Sequence, residues 1–252
     1  MIKSKKLSKF NDIEHAFFNR LGGVSSGIYK SLNCGPGSLD KKKNILTNLA
    51  IVKKKIKSNS NEIVLLNQVH SSKFCYIGKN SKLKNKFEGD ALITNKPNTP
   101  IAILTADCAP ILIFDSTKKM TAVIHAGWKG AYNDIINKVI KFMLKKKCSA
   151  DNITAVIGPC ISLKSYEVKE DFIKKFIKKD VKNKTFFKKI GGKHYFSLNG
   201  YISYQLKSLK VNKIEIINKD TFNIKNNFFS ARRSKNNNEN DYGRNISVIM
   251  IN

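Results

Sequence analysis

The chain has 252 residues, 41% of them hydrophobic, and its 47 lysines and arginines against 18 acids give a formal net charge of +29. That length supports a sizeable core, and no stretch reaches the roughly 18 uninterrupted apolar residues of a membrane-spanning helix, so no membrane role is expected. So large a charge favours polyanions in general, but the lysines fall in dispersed runs such as Lys41–Lys43, Lys53–Lys55 and Lys145–Lys147, as AT-biased codon use would scatter them, so no specific nucleic-acid partner is expected.

In chain order, residues 1–11 are basic but lead into no apolar targeting segment, which points to a cytoplasmic location. The five cysteines are odd in number and lack C-x-x-C pairing, as in reduced intracellular proteins. Arg20 opens a Gly-rich loop whose backbone has room to approach a ligand. Glu62–Val69 reads as a strand ending at His70, Ile101–Leu104 and Ile111–Phe114 as two strands interrupted by the Thr105–Pro110 turn, and Thr121–His125 as a fourth. Lys129–Lys147 carries Ile135, Ile136, Val139, Ile140, Met143 and Leu144 at helical spacing, with lysines at the end that the macrodipole favours. Strands over Ile153–Ile157, Lys213–Ile217 and Ile246–Ile251 and helices near 169–180 and 199–209 complete an α/β pattern. Lys79–Phe87 and Ser234–Asp241 read as surface loops too short for linkers, which predicts one domain over residues 1–252.

Three of these segments place a metal ligand at the end of an apolar run: Asn67-Gln68-Val69-His70, Ala106-Asp107-Cys108-Ala109-Pro110 and Ile124-His125-Ala126-Gly127-Trp128. Two imidazoles and a thiolate suit zinc, and three protein ligands leave a fourth position for water or substrate, the mark of a catalytic site. The chain has four histidines, too few for the imidazole-rich trinuclear cluster of a multicopper oxidase, although copper would compete for a His2Cys site and support weak phenol oxidation. Among so many lysines, the four arginines (Arg20, Arg232, Arg233, Arg244) mark places where a planar, bidentate cation is required, for an anion or for a structural ion pair.

These motifs, with Ser31-Leu32-Asn33, Gly89-Asp90-Ala91-Leu92-Ile93-Thr94, Ile157-Gly158-Pro159, Tyr166-Glu167-Val168 and Phe229-Ser230-Ala231-Arg232-Arg233, closely resemble the bacterial YfiH-type laccase-domain family over nearly the whole chain. The resemblance implies an α-β-β-α sandwich shared with cysteine-dependent toxin deamidases, zinc on His70, Cys108 and His125, and phosphorolysis of adenosine, inosine and methylthioadenosine with adenosine deamination beside it. For that reaction Arg20, Arg232 and Arg233 are expected to hold phosphate, Asn33 and Gln68 to bind base or ribose, and Asp107 either to orient a ligand imidazole or to stabilise its turn. Trp128 either stacks on a purine or packs a helix terminus. A monomer or weak homodimer is expected. The alternative is an amide hydrolase editing peptidoglycan precursors, with Cys108 as nucleophile and His125 or His70 as its base.

Overall fold

The computed structural model describes residues 1–81 and 87–252. Its elements in chain order are β1 (Ile13–Phe17), α1 (Lys42–Lys55), β2 (Leu66–Asn67), β3 (Phe74–Ile77), β4 (Phe87–Glu88), β5 (Ala91–Thr94), β6 (Ile101–Thr105), β7 (Ala109–Asp115) and β8 (Met120–Ala126). Then come α2 (Trp128–Tyr132), α3 (Ile135–Lys145), β9 (Ile153–Ile157), β10 (Glu167–Val168), α4 (Glu170–Lys179), β11 (Phe187–Ile190), β12 (Lys193–Phe196), α5 (Leu198–Ser208), β13 (Lys213–Ile216), α6 (Ala231–Asn236) and β14 (Asn245–Ile251). No described helix is long and apolar enough to cross a membrane.

The central strands β7, β8 and β9 are buried at every position and mostly apolar because both of their faces are covered. In the mixed six-stranded sheet, ordered β13-β9-β7-β8-β5-β3, Ile111, Ile113, Ile124 and Ile157 point to a layer built from α3 and α5. Alternate residues Leu112, Phe114, Val123 and Val156 meet Ile101, Ile103, Ile249 and Ile251 of the antiparallel sheet β1-β14-β6. The far face of that second sheet, through Ala102, Ile246 and Val248, rests on Val52 and Ile56 at and just beyond the end of α1. Helix, sheet, sheet and helix thus stack as the expected α-β-β-α sandwich. In α4, Glu170 and Asp171 begin the helix and Lys178 and Lys179 end it, matching charge to the dipole.

Several expected boundaries change. The strand over Glu62–Val69 contracts to Leu66–Asn67 with one bridge from Val64 to Ile101, because Gln68 goes on to pair with the next sheet through its side chain. The long helix over Lys129–Lys147 is two helices, broken where Asp134 adopts a left-handed φ of 65°. Ser234, expected in a loop, lies in α6, capped by the Ser230 hydroxyl accepting from the Arg233 N–H. Of the loop expected over Lys79–Phe87, residues 82–86 lie outside the described residues, and Phe87 opens β4.

Candidate metal centre and cavity

The turn over residues 106–108 carries the chain from β6 in one sheet to β7 in the other, and Cys108 stands at that seam. His125 sits in β8 opposite Pro110, and His70 follows β2 with a φ of 56°. These three segments converge. One donor atom from each of His70, Cys108 and His125 lies within 4.8 Å of the others, and among the described residues this is the one such cluster of three. Cys108 Sγ is 3.9 Å from His70 Nε2, a little beyond the spacing that two ligands of one tetrahedral zinc would take, and the imidazoles meet edge to face at 4.8 Å between centroids. The other two histidines are elsewhere: His15 is buried in β1 accepting the Ser4 N–H, and His194 lies in β12.

Asp90, buried at the head of β5, organises the cluster. Its carboxylate accepts from His125 Nδ1 at 2.8 Å, from the His70 N–H at 3.0 Å, and from the Ser71 N–H and hydroxyl at 2.5 and 2.8 Å. With Nδ1 committed, Nε2 is the nitrogen that His125 has left for a metal. Burial would raise the Cys108 thiol, but the charge of His125 and hydrogen bonds with both imidazoles outweigh it and bring it down to about 6. Burial likewise works against the His125 imidazolium, yet the Cys108 thiolate and Asp90 hold it up at about 9. Gly127 makes room for the sulfur: a β-carbon there would stand 2.7 Å from Cys108 Sγ. Asp90 was missed because an acid beside glycine reads as a turn; its position just before the apolar run Ala91-Leu92-Ile93 was the available signal.

The cluster opens into a cavity of about 910 Å³, large enough for a drug-sized ligand. Leu65, Leu66, Phe87 and Leu104 form an apolar wall, while Asn67, Gln68, Glu88, Tyr242 and Arg244 supply polarity.

The contacts show where the other expected site residues sit. Asn33 is fully buried and spends its amide on Ser38, Asp40, the Gly35 N–H and the Arg244 N–H, leaving nothing for a substrate. Gln68 lines the cavity, but its oxygen accepts the Leu104 N–H and its nitrogen donates to the Leu104 carbonyl, each at 2.8 Å, so its amide imitates a strand. Asp107 touches no imidazole; it accepts from Thr221 Oγ1, Ser230 Oγ and the Arg232 N–H and so ties the Cys108 turn to α6. Arg233 donates to the carbonyls of Thr221, Phe222 and Phe228, a structural post, and lines with Arg20 a separate concavity of about 240 Å³ that none of the three ligands borders. Arg232 reaches the Glu167 carbonyl and lies over the Tyr166 ring. Trp128 packs edge-on against Phe172, the helix-terminus role.

Residues 14–252 match the model of a family described as multi-copper polyphenol oxidoreductase laccase. A purine nucleoside phosphorylase of Rickettsia conorii is 35% identical over 241 residues, 91% of this chain and 98% of that protein. Another, from Haemophilus influenzae, is 34% identical over 244 residues, covering 94% of each chain. The crystal structure of the hypothetical protein YfiH from Bacillus licheniformis superposes with a TM-score of 0.87 at 25% identity, covering 96% of this chain and 94% of that one. A Neisseria meningitidis protein superposes at 0.84 with 28% identity, covering 96% and 95%.

Proposed function

This chain belongs to the multi-copper polyphenol oxidoreductase laccase family, and from that membership and the phosphorylase names of its relatives we propose that it is a zinc-dependent purine nucleoside phosphorylase. Its substrates would be adenosine, inosine and methylthioadenosine together with phosphate, and adenosine deamination would accompany phosphorolysis. The observation that carries the proposal is the three-ligand cluster opening into a cavity whose volume and part-apolar, part-polar lining suit a nucleoside.

His70, Cys108 and His125 fit zinc by donor type and by the Asp90 hydrogen bond that fixes one imidazole. A bound zinc supplies Lewis acidity beside the substrate, and copper on the same donors would give phenol oxidation as a side reaction. In phosphorolysis a phosphate oxygen bonds to C1′ of the ribose while the C1′–N9 bond breaks, and its electron pair leaves with the purine, which takes up a proton. The Leu65, Leu66, Phe87 and Leu104 wall accepts the flat base and sheds water from it. Asn67 and Tyr242 offer hydrogen-bonding groups at the polar side.

The test is turnover of adenosine by the purified protein with and without phosphate, the products separated as adenine, inosine and hypoxanthine. Phosphate-dependent adenine supports the proposal; no purine product under either condition sinks it.

The order Asp90, His125, Cys108 also favours a second reading, in which a carboxylate orients the imidazole that deprotonates a cysteine nucleophile of an amide hydrolase. Metal content separates the two, because a thiolate bound to zinc is occupied and a nucleophile is not. Rapid alkylation of Cys108 in protein as purified would favour the hydrolase; protection lifted by a chelator favours zinc.

A further inference from the structure

Among the described residues that line the large cavity, Arg244 carries the one fixed positive charge. We propose that Arg244 is the residue that binds the anionic co-substrate, inorganic phosphate, facing the His70, Cys108 and His125 cluster; this rests on the phosphorylase reading above. The guanidinium is half committed. Nη1 donates to Asp241 Oδ1 at 3.1 Å and to the Tyr242 carbonyl at 2.7 Å, whereas Nε and Nη2, which form the side-on edge, have no hydrogen-bond partner among the described residues. Two parallel donors on one edge match two oxygens of a phosphate.

The surroundings hold that edge in place before a ligand arrives. Asp241 is itself fixed by the Tyr29 hydroxyl at 2.7 Å and the Leu39 N–H at 2.8 Å. The guanidinium lies 4.4 Å over the Tyr242 ring, and the Arg244 N–H donates to the buried Asn33 amide oxygen at 2.9 Å. Gly35 leaves space for the stem, since a β-carbon there would come within 2.4 Å of Arg244 Cδ. No other arginine lines this cavity: Arg233 is spent on carbonyls, Arg20 borders the smaller concavity, and Arg232, also held through one nitrogen and set over a tyrosine ring, is not among the lining residues. An arginine anchored through one nitrogen, stacked and open along its other edge is a preorganised anion site.

Calorimetric titration of the purified full-length chain with inorganic phosphate tests this directly. Arg244→Lys keeps the charge and loses the fork, and should weaken phosphate binding about tenfold or more, with zinc content and melting temperature little changed. Gly35→Ala, which displaces the same side chain without altering its chemistry, should weaken phosphate in the same sense and serves if Arg244→Lys does not fold. Phosphate binding unchanged by either variant, or weakened by Arg20→Lys and not by them, overturns the proposal. Phosphate binding lost with Arg244 in a protein that makes no adenine would retire the phosphorylase reading and leave this site standing. Phosphate-dependent turnover with wild-type binding in Arg244→Lys would do the reverse.

Discussion

Replacing Asp90 with Asn probes the metal cluster through a residue that donates no ligand atom. The carboxylate accepts four hydrogen bonds, two on each oxygen: His125 Nδ1 and the His70 N–H on one, the Ser71 N–H and hydroxyl on the other. Asparagine keeps one acceptor and turns an NH2 toward two donors. If its oxygen stays with the histidines, the Ser71 hydroxyl can rotate and accept, but the Ser71 N–H loses its partner inside the protein. An unmatched buried donor costs about 1–3 kcal/mol. The lost charge also weakens support for the imidazole, and changes to such outer partners typically lower metal affinity about 10–100-fold, which is about 1.4–2.7 kcal/mol. Asp90→Asn should therefore stay folded, melt at a lower temperature and bind zinc about 10–100 times more weakly. A competition titration against a chromophoric chelator reads this directly. Zinc affinity within about threefold of the parent, in a folded variant, would refute the claim that Asp90 organises the cluster.

Cys108→Ala and His125→Ala should each lose zinc, measured by elemental analysis, while their far-ultraviolet circular dichroism stays that of the parent, because none of the three ligands belongs to the three apolar cores. In Gly127→Ala the new methyl meets Cys108 Sγ, so zinc content should fall with little change in secondary structure; full zinc occupancy would count against that crowding. His15 is lowered to about 4, chiefly by burial with Lys3 adding, from an ordinary 6.5. Between pH 6.5 and 4 its neutral form is favoured only in the folded protein, so stability is full above pH 6.5 and declines as pH falls toward 4, by on the order of 3 kcal/mol. Urea titrations across that range should show the decline, and His15→Gln, which can still accept the Ser4 N–H, should flatten it.

The alternation of strands and helices was legible because apolar runs such as Ile111–Phe114 and the stripe of Ile136, Val139, Ile140 and Met143 state their own burial, whereas the order of the layers came from the family resemblance. The three ligands were legible by residue type at the ends of such runs. Helix α1 was not, since its lysine-rich ends leave Ile45, Asn48 and Val52 as the buried stripe, one of them an amide. Strand β1 hid behind Glu14 and His15. Side-chain roles were hardest: Asn33 and Gln68 look like substrate amides in sequence, and only the fold shows that the Gly35 and Arg244 N–H groups and the Leu104 main chain have claimed them. Whether an arginine is spent on carbonyls, as Arg233 is, or open along one edge, as Arg244 is, depends on neighbours far away in sequence.

Strand β14 lies between β1 and β6, yet it leaves the ribosome long after His70, Cys108 and His125. Until it arrives, β6 has no partner on that side, and Gln68 and the Cys108 turn hang from an unfinished layer. The nascent chain therefore displays two imidazoles and a thiol on a half-built support through much of its synthesis. On the zinc reading, metal capture would follow the pairing of β14 with β6 and the docking of the two sheets. Zinc uptake would then timestamp completed folding, and chains stalled before residue 245 should emerge without it.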